Sequence, residues 1–341
     1  MSRLQYLDGM RGAACFIVVV FHCLRLSDPN SKFLVIFNGP LCVSLFFVMS
    51  GYVLTSAFKR NNTLFQVPAR IIRLGLPAVI SVAGAILMIG SFHPVLMEGY
   101  LKRYSGDLLR ITLLINPPLW SIVYELFGSF WVFALVYTAK KSRPVYFALL
   151  ALSLPAFSLG NLSLFTTGYL LSINMSSERF ARINIEATPG VLTLIILILI
   201  GFLNNPHFLS GIMNRGKILG LENLPIFSNL SAIGIFLVVS YTSALRRFFT
   251  SRPLKIAGEL SFPIYLLHCP ILFSFGNFVR INFIEHSAGS ATLACLSVTI
   301  ILTGLLSYGF SKLVDLPSLR LSAFVRQPRS YSQEILGIDL N

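Results

Sequence analysis

The chain has 341 residues, 55% of them hydrophobic and only 12% charged, with a formal net charge of +14. Charged usage about half the ~25% of soluble domains, with a mean hydropathy of +0.76, excludes a soluble globular core and points to a polytopic membrane protein. The basic excess lies in clusters between apolar runs, which is how topology is written and argues against a nucleic-acid partner.

Ten apolar segments are expected to span, at about 12–26, 40–58, 73–92, 118–138, 144–158, 161–174, 188–204, 229–249, 261–281 and 289–313. The first reads as a retained span rather than a signal peptide. The fifth and sixth are short, separated by Gly160 and Asn161, and read as two short helices or a re-entrant pair. Placing the N-terminus in the cytosol puts 19 of the 27 basic residues on the cytosolic side, which predicts both termini there. Residues 93–117 mix apolar and charged positions. Leu101, Tyr104, Leu108 and Leu109 suggest an amphipathic helix at the far interface. The expected architecture is an all-α, polytopic transmembrane helical bundle of about ten spans. Residues 1–317 form the membrane domain, and 318–341 a cytosolic tail that is polar and disordered towards its end.

Few polar residues interrupt the apolar runs. Arg11 and His22 are eleven residues apart, roughly 20° past three full turns, so they share a helix face. The rise places His22 roughly 16 Å deeper, near the middle of a ~30 Å hydrocarbon core. An ionisable group there is a functional candidate, here a buried general base, although a histidine bonded to a neighbouring helix would look the same. Arg70 and Arg73 stand one turn apart at the cytosolic mouth of the third span. They are topology anchors or a clamp for the phosphates of a nucleotide-bearing donor. Glu125 is expected about 10 Å below the far-side boundary, where a carboxylate needs a partner or a polar cavity. Trp120 fits an interfacial aromatic belt. His268 sits roughly 15 Å past Gly258, again near mid-depth, in a helix that Pro263 and Pro270 should bend. Ser50 and Gly51 allow close helix packing. The five cysteines lie in or beside apolar runs without metal-ligand spacing.

Six motifs, in this order, resemble the acyltransferase 3 family of polytopic membrane acyltransferases. LDGMRG with Arg11, ten residues and His22 is similar to its opening motif, and FFVMSGYVLT to its second span. Arg70-Ile-Ile-Arg73 is similar to its Arg-x-x-Arg, and LWSIVYELF, with Trp120, Ser121 and Glu125, to its Trp-Ser-x-x-x-Glu region. LSFPIYLLHCP, with Tyr265 and His268, resembles a late motif. SYGFSKLVDLP resembles the closing span, with Asp315 where a glutamate is common. The resemblance covers about residues 4–317. It implies transfer of an acyl group, most often acetyl, from acyl-CoA to a hydroxyl of a small-molecule, sugar or lipid acceptor. Acyl-CoA, in the acetyl case acetyl-CoA, would be a co-substrate, with no metal. Arg11, Arg70 and Arg73 would hold its phosphates, and His22 would be the base. Glu125 and His268 would orient His22 or the acceptor, and Trp120 and Tyr265 would touch substrate. The alternative is a transporter, which also carries midplane ionisable groups. Transporters commonly show an inverted repeat, and the sequence shows none.

Overall fold

The structure is a computed structural model and describes residues 5–29, 31–34, 36–60, 65–153, 160–175, 183–202, 226–283 and 287–326. These are helical almost throughout, with no strand beyond one isolated bridge between Ile185 and Thr242. A lipid-exposed backbone must satisfy its own hydrogen bonds, so apolar runs of this length become helices. Six are long and apolar enough to cross a bilayer: α1 (Gln5–Ser27), α2 (Gly39–Arg60), α3 (Gln66–Phe92), α6 (Leu119–Lys141), and the runs Ser261–Asn282 and Gly289–Arg326. The expected spans near 144–158, 161–174, 188–204 and 229–249 are shorter helices: α7 (Arg143–Leu152), α8 (Gly160–Asn174), α9 (Ala187–Phe202) and α10 (Ile226–Tyr241).

Three further expectations change. Residues 93–117 are two helices, α4 (Pro94–Arg103) and α5 (Leu108–Ile115), parted at Gly106 with φ +99°. That backbone conformation favours glycine. The start of α6 is anchored inside the bundle. Asn116 just before it is fully buried and donates from Nδ2 to the Leu266 carbonyl at 2.9 Å. That carbonyl is available because Pro270, four residues on, has no N–H to give it. Finally, the packed body continues past residue 317. Helix α16 (Leu316–Arg326) lies on α3, with Ser318 Oγ donating to the Ile72 carbonyl at 3.0 Å. Residues 327–341, where the tail was expected, lie outside the described residues.

Small residues set the helix contacts, as membranes require when lipid is as apolar as leucine. Helix α8 packs along α2 in the same direction, Gly168 on Val48 and Tyr52, and Gly51 on Phe165. Helix α1 meets α11 (Ser243–Phe249) and α12 (Arg252–Glu259) through Gly9, which faces the Phe249 backbone, and through Gly12. Gly12 and Gly258 leave room for backbone against backbone. Helix α13 (Ser261–Ile271) then continues beside α1, the Cys15 thiol donating to the Ser261 carbonyl at 3.3 Å. Gly12 with Gly258, Cys15 with Ser261 and His22 with His268 are each 246 positions apart. The two helices therefore run parallel in fixed register. Beyond Pro270 a π-helical turn, Leu272–Gly276, leads into α14 (Asn277–Phe283). Helix α15 (Ala288–Phe310) returns the chain and ends in a second such turn, Ser311–Asp315.

A Cβ at Gly258 would fall onto the Asp8 backbone, whereas one at Gly75 meets nothing within 4 Å. Overpacking of this kind costs about 1–3 kcal/mol. Gly258→Ala should therefore lower the unfolding temperature in detergent clearly, and Gly75→Ala should not. Equal melting of the two variants would mean that the α1–α12 approach does not limit stability.

Candidate active site

One cavity of about 660 Å³ opens between α1, α2, α3, α6, α13 and the π-turn before α16. Arg11, Arg70 and Arg73 all stand on its wall, as do Glu125 and Tyr265. Five of the eight residues singled out in the sequence thus share one chamber. Trp120 does not: it is 41% exposed on the outer face of α6, edge-on to Phe47 and Tyr124. His22 and His268 lie next to the chamber, behind Tyr265.

Each arginine of the wall has a carboxylate. Arg70 pairs with Glu125 and donates from Nε to Ser129 Oγ at 2.8 Å, while Ser129 itself donates to the Glu125 carbonyl at 2.6 Å. Arg73 pairs with Asp315, and its guanidinium lies 4.7 Å from the Phe262 ring centroid. Arg11 stands 3.9 Å from Asp8, one turn earlier. Lys312 and Glu259 complete a wall with four cations and four carboxylates. A bound polyanion would therefore have to exchange partners with carboxylates already in place. Guanidinium groups suit this, because five N–H donors leave some free after one carboxylate is bound.

Glu125 was expected near the far boundary and Arg70 near the cytosolic mouth, yet they touch. The depth of Glu125 followed from starting α6 at an interface. Asn116 holds that start deep in the bundle, so Glu125, six residues into α6, reaches the arginine level. It belongs with the arginines, not with the histidines.

Tyr265 divides the two polar groups. Its hydroxyl is 2.7 Å from Ser121 Oγ on the chamber side, and its ring lies 5.8 Å from the His268 ring on the other. His268 is fully buried, its Nδ1 3.1 Å from the Ile264 carbonyl. The His22 and His268 rings are 5.3 Å apart, so the two histidines expected at similar depth meet. Cys269 joins them: donor atoms of all three lie within 4.8 Å of one another, close enough to surround a cation. Cysteine spacing could not reveal this cluster, because its members come from α1 and α13.

Sequence reasoning missed Lys312 and Cys269 as neighbours of the site, took Asp315 only as a family position, and gave Asn116 no role. The one local signal for Asn116 was Pro270, which frees a carbonyl that something must satisfy.

A family model described as an acyltransferase domain matches residues 4–308. No curated protein matches the chain, and no solved structure does.

The Arg70–Glu125 contact is largely shielded, with side-chain exposures of 20% and 14%. A double-mutant cycle with Arg70→Met and Glu125→Leu, read by denaturation in detergent, should give a coupling above about 0.5 kcal/mol. Additive effects would make the pair incidental.

Proposed function

Since the chain belongs to the acyltransferase 3 family and is an integral, multi-pass membrane protein, we propose that it moves an acyl group, in the simplest case acetyl, from acyl-CoA to a hydroxyl acceptor. The observation that carries this reading is the single chamber. Its wall gathers the three arginines, and Tyr265 stands between it and the His22–His268 pair. The phosphates of coenzyme A would take Arg11, Arg70 and Arg73, displacing carboxylates, and Lys312 would add a point charge. The pantetheine arm would then lie along the chamber towards Tyr265. Glu125 and Asp315 keep the arginines paired and aligned while no donor is bound, which replaces the catalytic role expected of Glu125.

In the reaction, an imidazole nitrogen of His22 takes the acceptor hydroxyl proton as the oxygen attacks the thioester carbonyl carbon. The new C–O bond forms and the C–S bond breaks. The thiolate of coenzyme A leaves and takes the proton back from the imidazolium. Movement of the Tyr265 ring would join the chamber to the histidines. The acceptor is a sugar, lipid or small-molecule hydroxyl that reaches His22 from outside the donor chamber.

The same reading sets topology. The arginine chamber faces the cytosol, where acyl-CoA is made, so the N-terminus is cytosolic. The parallel courses of α1 with α13 and of α2 with α8 fit ten traverses, four of them by short helices, which returns the C-terminus to the cytosol. Reporter tags at both ends should read cytosolic, and a C-terminal tag accessible from the far side would overturn the count.

Donor binding and turnover should separate. In protein purified with acyl-CoA and candidate acceptors, Arg70→Ala with Arg73→Ala should weaken donor binding, and added salt should weaken it in the wild type. His22→Gln should bind the donor normally yet lose roughly 10²–10⁴-fold in turnover, because an amide cannot take the proton. Near-normal turnover by His22→Gln would remove His22 from the mechanism.

A further inference from the structure

We infer that His268 is a positioning residue that fixes the proton on His22, a role that rests on His22 being the base proposed above. His268 is locked from one side. Its Nδ1 lies 3.1 Å from the Ile264 carbonyl, an acceptor only, so Nδ1 carries the proton and Nε2 presents a bare lone pair. Nε2 is buried and has no hydrogen-bond partner among the described residues. A buried acceptor left unsatisfied is unfavourable, so the site gains by any donor that reaches it. The His22 ring, at 5.3 Å between centroids, is placed to be that donor. Two imidazoles joined by one N–H···N bond have centroids roughly 5 Å apart, an N···N distance of about 3 Å plus the two ring radii. A small ring rotation closes the gap, as catalytic hydrogen bonds often do only when substrate is bound.

The consequence is a chain of fixed polarity. The Ile264 carbonyl accepts from His268 Nδ1–H, His268 Nε2 accepts from the nearer nitrogen of His22, and the other nitrogen of His22 is left bare to take the hydroxyl proton. His268 thus does for His22 what a carboxylate does in a hydrolase triad, without burying a negative charge in the membrane. The register of α1 with α13, set by Gly12 on Gly258 and by Cys15 on Ser261, brings the rings together.

The rival is a cation held by His22, His268 and Cys269. It would take the His268 Nε2 lone pair that the relay assigns to His22, so the two arrangements exclude each other.

Two variants and one spectrum test the relay. In His268→Gln the side-chain amide oxygen can replace Nε2 as acceptor; His268→Met keeps the bulk without an acceptor. Turnover should stay within about tenfold of wild type in the Gln variant and fall at least about 10²-fold in the Met variant. Both should keep the wild-type KM for acyl-CoA. Losing the group that fixes a histidine tautomer costs up to about 10⁴-fold in hydrolase triads. Equal turnover in Gln and Met would overturn the relay: both active means packing alone, and both inactive means that His268 itself moves the proton. Protein labelled with 15N-histidine, with His22 assigned by its loss in His22→Gln, gives a readout independent of turnover. Wild type and His268→Gln should show His22 as one neutral tautomer, and His268→Met a mixture. A tautomer mixture in the wild type would overturn the relay even if the Met variant did not fold. One bound metal per chain with activity lost to a chelator would also overturn it. An active His22→Gln would instead remove the base assignment and leave the relay to the spectrum.

Discussion

The backbone contact between α1 and the helices from Ser243 to Ile271 is the constraint on which the site depends. Gly12 faces Gly258 and Ala257, and Gly9 faces the Phe249 backbone. Such a contact permits little sliding, because a shift of one residue would drive a side chain into backbone. Cys15 and Ser261 extend it by one turn. Two turns further on, the same spacing delivers His22 to His268. The glycines of the opening LDGMRG stretch therefore serve alignment, and His22 stands further along the same helix. A membrane bundle has little hydrophobic drive between its helices, so close fit of small residues must supply the precision.

Electrostatics divides the interior into two zones. The chamber holds cations and carboxylates in equal number, each arginine beside an acid. Isolated charges at that depth would be costly, and pairing keeps them tolerable while leaving spare donors. Beyond Tyr265 the histidines meet each other, the Cys269 thiol and the Ile264 carbonyl. A donor with phosphates at one end and a thioester at the other matches this order.

Much of this was legible in the sequence. Hydropathy located the helices, and the arginine pair and both histidines were singled out as isolated polar residues in apolar runs. What failed was depth. Glu125 was placed by counting from a presumed interface, but α6 begins inside the bundle, held by a bond between Asn116 and Leu266 across 150 positions. Periodicity carries no trace of such a tether. The single long helix expected over residues 93–117 failed for a local reason, since Gly106 breaks it with a positive φ. Cys269 showed no metal-ligand spacing because a cluster shared between α1 and α13 has no spacing to recognise. Helix α16 was underestimated because its polar face, buried through Ser318 and Ser322 on α3, resembles a solvated tail.

The parallel pairing of α1 with α13 also dictates when the site comes into being during synthesis. The Arg11–His22 helix leaves the ribosome before its partner α13, which lies 246 residues later. At roughly 5–20 residues per second, the interval is about 10–50 s. For that time Gly12 and His22 must wait in the bilayer with their final neighbour unmade. A nascent chain released early carries half of the histidine pair and no completed chamber. The histidine pair and the chamber wall are therefore completed only by late segments, α13 and then residues 308–319.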